Sequence, residues 1–162
     1  MPDALTHLCS GLLVRAGWRG PMVPVFVAGA MLPDVFSRLP IAGLMMVSRH
    51  IHPLPDALLD CWMPLHLPAG IVLWSLLLTM LFPEAQRRAV LVNLLAGAGL
   101  HVALDLCQRH VGLGYPLLIP FSGRDLEIGV FSSEASIPWL PVLVPLTALA
   151  WWAGGRVAKK RR

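Results

Sequence analysis

Apolar residues run along this chain in blocks, broken by short clusters of proline, glycine and charge, rather than alternating with polar ones. Blocks of that kind predict helices buried on most sides, not half-exposed strands. Residues 4–16 read as a first short apolar helix, closed by the turn Gly17-Trp18-Arg19-Gly20. Residues 21–33 read as a second short one, ended by Pro33 and Asp34. Both fall below the ~20 residues that ordinarily cross a bilayer. Residues 35–63 are mixed, with Pro40, Pro53 and Pro55 among charges, and predict a loop holding short helices over 41–48 and 56–62. Three longer blocks follow, at 67–82, 89–106 and 137–153, and each reads as a full span. Gly97 and Gly99 in the middle one suit close helix contact. Residues 107–136 form a polar connection rich in glycine and proline. The expected fold is a single all-α domain over 1–162, a polytopic membrane bundle of about five apolar helices, two short and three spanning.

Composition sharpens this picture. Of 162 residues, 56% are hydrophobic and only 14% charged, with a mean hydropathy of +0.68, too apolar for an ordinary soluble domain. The net charge of +4 does not point to nucleic acid, because the basic residues form no stripe with interleaved aromatics. They sit instead at turns and in the tail 155–162. With that tail in the cytoplasm, Arg15, Arg19, Arg87 and Arg88 also fall inside, and nine of the thirteen Lys/Arg lie on short inner segments. The loops 35–63 and 107–136 then face outward. Trp139 and the pair Trp151-Trp152 mark the two ends of the last span, where interfacial aromatics belong. A plasma or inner membrane is the expected location, with the lipid bilayer as the first partner and no nucleic acid. Met1-Pro2-Asp3 offers no basic leader, so no cleavable signal is expected. The cysteines, Cys9, Cys61 and Cys107, form no CxxC pair and read as small buried hydrophobes.

One stretch carries chemistry. His101 and Asp105 are four apart at the end of the fourth block, so on a helix they share a face. Imidazole and carboxylate at that spacing offer two arms to a divalent cation. The plain alternative is a hydrogen-bonded pair closing a helix end. The topology adds to the metal reading. It brings Asp34, His66, His101 and Asp105 to the outer ends of their segments, with His7 about one turn below. Five candidate ligands, His7, Asp34, His66, His101 and Asp105, thus meet at one level from four segments.

In order along the chain, these residues carry a resemblance: Thr6-His7, then Leu32-Pro33-Asp34, His66 opening a span, His101 and Asp105, and finally Pro120-Phe121-Ser122. The pattern resembles the DUF457 (YdjM-like) family of predicted inner-membrane metal-dependent hydrolases, distantly similar to zinc-dependent phospholipase C and P1 nuclease. It covers nearly the whole chain. There are departures. The family's central motif carries two histidines, and here only His66 matches, with Cys61 in the place of the first. A second family carboxylate falls on Phe36. His50 or His52 from the preceding loop are the available substitutes. The resemblance implies a divalent metal, zinc by its donor set, and hydrolysis of a phosphoester or lipid-linked substrate at the outer face, with Asp34 and Asp105 as catalytic carboxylates.

Other candidates are weaker. Arg124 follows Phe121-Ser122-Gly123 and can hold a phosphate oxygen, or pair with Asp125 or Glu127. Ser122 lacks the GxSxG context of a nucleophile. Cys61 and Cys107 are possible soft ligands, and His110 is expected in solvent. Two rival classes stand beside the hydrolase. One is a membrane scaffold that keeps the fold and a structural metal. The other is a transporter, disfavoured because the spans at 67–82, 89–106 and 137–153 carry no charge at mid-depth. A reporter fused after Arg162 is expected to be active in the cytoplasm; activity confined to the outer compartment would overturn this topology.

Overall fold

The computed structural model describes residues 4–17, 19–48, 61–109, 115–119 and 121–160. Five helices make up the fold: α1 (Ala4–Ala16), α2 (Val23–Ser48), α3 (Pro68–Thr79), α4 (Glu84–Leu106) and α5 (Leu140–Lys160). A 3₁₀ turn at Met63–His66 leads into α3, and another at Ser133–Trp139 leads into α5. Two-residue strands β1 (Gln108–Arg109) and β2 (Phe131–Ser132) pair in parallel, Gln108 opposite Phe131.

Three helices are long and apolar enough to cross a membrane: Val23–Val47, Glu84–Leu106 and Ser136–Arg156. Two apolar helices are shorter, Ala4–Ala16 and Pro68–Thr79. Three long and two short was the expectation, but two assignments change places. The second segment does not stop at Pro33. It continues as one helix of 26 residues through Pro33 and Pro40, absorbing the short helix expected at 41–48. A proline removes one backbone donor, here the one that would close on Gly29, and this normally ends a helix. In a packed apolar bundle such prolines are tolerated inside a helix. Around them, Ser37 Oγ–H donates to the Pro33 carbonyl at 2.8 Å, and the Ala30 carbonyl accepts a bond from another helix, described below. The block at 67–82 is the one that falls short, with 12 helical residues, or ~18 Å at 1.5 Å per residue. The short helix expected at 56–62 lies mostly outside the described residues.

The core sits where α2, α3 and α4 meet, around Ile71, Trp74, Val90, Leu94 and Ala98. Phe36 packs its ring against Trp74, with centroids 5.4 Å apart. α2 and α4 touch backbone to backbone. A Cβ on Gly97 would overlap the Phe26 carbonyl oxygen and lie 2.8 Å from the Ala30 nitrogen; one on Gly29 would overlap the Leu94 carbonyl. Gly99 is different from what the sequence suggested, since it faces open space.

α1 packs against α2 and α5. Its C-terminal end is tied to α5 by Arg19 over the Trp151 ring at 4.2 Å and by Trp151 Nε1–H to the Leu12 carbonyl at 3.1 Å. Arg156 likewise covers Trp152 at 3.6 Å. Among the cysteines, Cys9 is buried, Cys107 half-buried, and Cys61 exposed, contrary to the expectation that all three are core residues. Leu73, Leu77, Met80, Leu81, Val142, Leu149 and Trp152 are all exposed, so the apolar helices present apolar outer faces.

Replacing Gly97 by Ala forces α2 and α4 apart and is expected to cost about 1–3 kcal/mol or more, as overpacking does. Gly99→Ala should be neutral or gain up to ~1 kcal/mol from helix propensity. Thermal unfolding of the two variants side by side checks the contrast.

Candidate metal centre

The cluster is built around Asp105, fully buried one turn beyond His101 on α4. The i, i+4 spacing brings His101 Nε2 within 3.4 Å of Asp105 Oδ2. His66 sits at the last position of the 3₁₀ turn, and its Nε2 lies 2.7 Å from the same oxygen. His7 of α1 brings Nε2 to 3.5 Å from Asp105 Oδ1. Its ring stacks on His101 with centroids 3.8 Å apart and planes at 18°. Asp34 of α2 lies beside all three imidazoles: 4.0 Å to His7, 3.7 Å to His66 and 3.9 Å to His101. All five sequence-predicted ligands therefore converge, from four separate parts of the chain. Two three-residue sets are close enough to hold an ion, His7–His101–Asp105 and Asp34–His66–His101.

Two of the three imidazoles are oriented from behind. His101 Nδ1–H donates to the Ala30 carbonyl at 2.8 Å, which leaves the Nε2 lone pair facing the cluster. Ser37 uses its hydroxyl hydrogen on Pro33, so its oxygen accepts from His66 Nδ1–H at 3.3 Å. His66 Nε2 then also faces inward. The 3₁₀ turn that carries it is held by Tyr115, whose hydroxyl donates to the His66 carbonyl at 2.9 Å, and by Trp74 Nε1–H to the Leu65 carbonyl at 3.1 Å. Gly70 is needed there, because a Cβ would overlap the Pro64 carbonyl and reach within 2.7 Å of the Leu65 Cα. Tyr115 is buried, and burial next to the Asp105 and Asp34 carboxylates pushes its phenol well above the usual tyrosine range. It stays a neutral donor.

Tyr115 reaches the site because the connection after α4 folds back on the helix end. Tyr115 and Leu126 exchange backbone hydrogen bonds of 3.2 and 2.9 Å. Ile128 N–H and Val130 N–H donate to the carbonyls of Leu106 and Cys107, at 2.8 and 2.7 Å. These bonds satisfy acceptors that a helix C-terminus otherwise leaves open.

The donor set fits a divalent cation. His66 Nε2 and Asp105 Oδ2 are 2.7 Å apart, hydrogen-bond distance and shorter than the edge between two ligands of an ion, so a proton joins them here and a bound ion would take its place. Asp105 Oδ1 and both ring nitrogens of His7 are buried and lack hydrogen-bond partners, a costly state for polar atoms with nothing to bind. A tetrahedral ion with ligand bonds of ~2.0–2.1 Å has ligand–ligand edges of about 3.3–3.4 Å. The separations of His101 Nε2 from Asp105 Oδ2 and from His66 Nε2 are both 3.4 Å, and that of His7 from Asp105 is 3.5 Å.

No protein-family model matches the chain, and no curated protein or solved structure matches it either.

Other candidates fall away from the cluster or outside the described residues. Arg124 is exposed and bonds through its backbone N–H to Ser122 Oγ at 3.2 Å; among the described residues it makes no ion pair with Asp125 or Glu127. Cys61 and Cys107 belong to neither ligand set. His50, His52 and His110 lie outside the described residues. Phe36 points into the apolar core. Among the described residues the cation at the site is Arg38, whose Nε lies 2.7 Å from Asp34 Oδ1 in an ion pair. Ending α2 at Pro33 hid it; read as one helix, Asp34 and Arg38 are an i, i+4 pair. The same extension places a charged pair in the middle of a long apolar helix, which the sequence reading had excluded for its spans.

His101→Ala is expected to lower bound metal from near stoichiometric to background while the bundle stays helical. Metal analysis with circular dichroism checks both; unchanged metal content would exclude this centre.

Proposed function

We propose that this chain is a membrane-embedded, metal-dependent hydrolase acting on a phosphoester or lipid-linked substrate at the outer membrane face. The observation that carries the reading is the convergence of three imidazoles and two carboxylates from four parts of the chain, with lone pairs aimed at one another. The metal is zinc on the donor set, held by His66, His101 and Asp105 with His7 and Asp34 completing or flanking the sphere. When bound, zinc would supply Lewis acidity and a water that is acidic near neutral pH.

The chain's own residues divide the remaining work. His101 presents an unprotonated Nε2 because the Ala30 carbonyl holds its Nδ1–H, while His66 Nε2 is paired with Asp105 Oδ2. Asp105 contributes the charge that balances a cation in an apolar setting. Asp34 is half-buried where the other four are closed off. As the carboxylate that reaches the surface, it is the candidate to take or deliver a proton at the substrate. The surrounding α2, α3 and α4 side chains exclude bulk water.

Membrane insertion is supported by the three long apolar helices and their apolar outer faces. The inward orientation of the basic end is supported by the way Arg19 and Arg156 gather at the Trp151-Trp152 end of α5. The tail 155–162 extends that end. The resemblance to inner-membrane hydrolases agrees with the ligand order, and Phe36 and Cys61 remain its departures. A second reading, a membrane scaffold with a structural metal, is favoured by one observation: four of the five ligand residues are closed to solvent, as structural sites are.

Asp105→Ala should lose metal and phosphoester turnover together, by at least a hundredfold in turnover, roughly the scale of losing a metal ligand or its support. Zinc content and hydrolysis of a generic phosphoester, measured in detergent and in lipid, check this. Zinc-loaded protein without turnover, with full biological function in Asp105→Ala, would replace the enzyme by the scaffold.

A further inference from the structure

Among the described residues one arginine, Arg38, is paired with the cluster. His7, His66, His101 and Asp105 are each at most 1% exposed, Asp34 13%, and the Arg38 side chain 39%. Exposure therefore rises from the ligands through Asp34 to Arg38, which marks the way in. Arg38 Nε is paired with Asp34 Oδ1 at 2.7 Å, charge against charge. Among the described residues its two terminal nitrogens meet no acceptor. A guanidinium is a rigid fork, so committing Nε to one carboxylate fixes the direction in which the outer nitrogens point.

Charge decides what such a fork receives. The Asp34 and Asp105 carboxylates against one guanidinium leave the side chains with one net negative charge. A divalent cation held by the cluster reverses that sign, and the mouth then attracts anions. A surface Asp–Arg pair on one helix is ordinarily a minor stabilising contact. This one differs because its aspartate lies within 4.0 Å of three inward-facing imidazoles.

We propose that Arg38 is the anion anchor of this site: its terminal nitrogens bind two oxygens of a tetrahedral phosphate group while Nε keeps Asp34 in place. The inference rests on the metal reading above and commits its substrate class to a terminal phosphate group, which phosphatidylcholine lacks. Free phosphate and a lipid phosphomonoester share that chemistry.

The test uses the full chain, zinc-loaded, as wild type, Arg38→Gln and Arg38→Lys. Titration calorimetry with inorganic phosphate is one arm. The other is binding to nanodiscs of phosphatidylcholine alone or doped with phosphatidic acid. Wild type is expected to bind at least one probe, and the arm that responds identifies the source. Arg38→Gln should bind about tenfold or more weakly, the loss expected for charge-assisted forked bonds, with zinc content unchanged. Arg38→Lys keeps the charge and the Asp34 pairing but not the fork, and should also bind more weakly; it carries the test if Arg38→Gln does not fold. Wild type that binds neither probe overturns the proposal. So does either variant binding like wild type, or a loss of zinc from Arg38→Gln, which would make Arg38 a support for Asp34 alone. Turnover separates the two readings. Hydrolysis with an unchanged KM in Arg38→Gln removes the anchor and leaves the hydrolase. Arg38-dependent phosphate binding without any turnover removes the hydrolase and leaves the anchor.

Discussion

The fold is arranged around a buried carboxylate. Asp105 has no access to water, and an unpaired charge in such a place costs several kcal/mol. The compensation comes from three imidazoles, and none of them is adjacent in sequence except His101. Everything that positions those rings follows from this need. Ala30 fixes His101, Ser37 and Tyr115 fix His66 and its turn, and stacking on His101 fixes His7. The contact of α2 with α4 belongs to the same problem. Only without side chains at Gly29 and Gly97 does α2 come close enough for its Ala30 carbonyl to reach an imidazole on α4. Packing and site chemistry are thus one constraint.

The ligand set was legible because its signals are local. His101 and Asp105 are one helical turn apart, and His66 and Asp34 sit beside prolines that mark changes in the chain. The count of long and short apolar helices was legible for the same reason, since block length and hydropathy are additive along the sequence. The identities of two blocks were not. Pro33 and Pro40 carry the ordinary signature of a helix end, and nothing local tells that Ser37 and His101 will bond to the Pro33 and Ala30 carbonyls and tie this stretch into the bundle. Reading α2 as ended concealed the Asp34–Arg38 pair and gave the cation's role to Arg124. Conversely, 67–82 is apolar throughout, but its last residues form turns rather than helix.

The connection after α4 shows a different limit. Composition marked it as polar and irregular; residues 115–119 and 121–130 are irregular, but most of their side chains are apolar. Composition does not reveal that Ile128 and Val130 satisfy the last carbonyls of α4, or that Tyr115 is thereby delivered to the back of His66. Such long-range pairing depends on where α3 and α4 end in space. It leaves no period in the sequence.

The position of His7 ties the cluster to a distant part of the bundle. Its helix, α1, packs against both α2 and α5, and the far end of α1 is held to α5 through Trp151. The imidazole that reaches Asp105 Oδ1 is thus seated by contacts made at the other end of its helix. A change at Trp151 bears on the surroundings of Asp105 without touching any residue of the cluster.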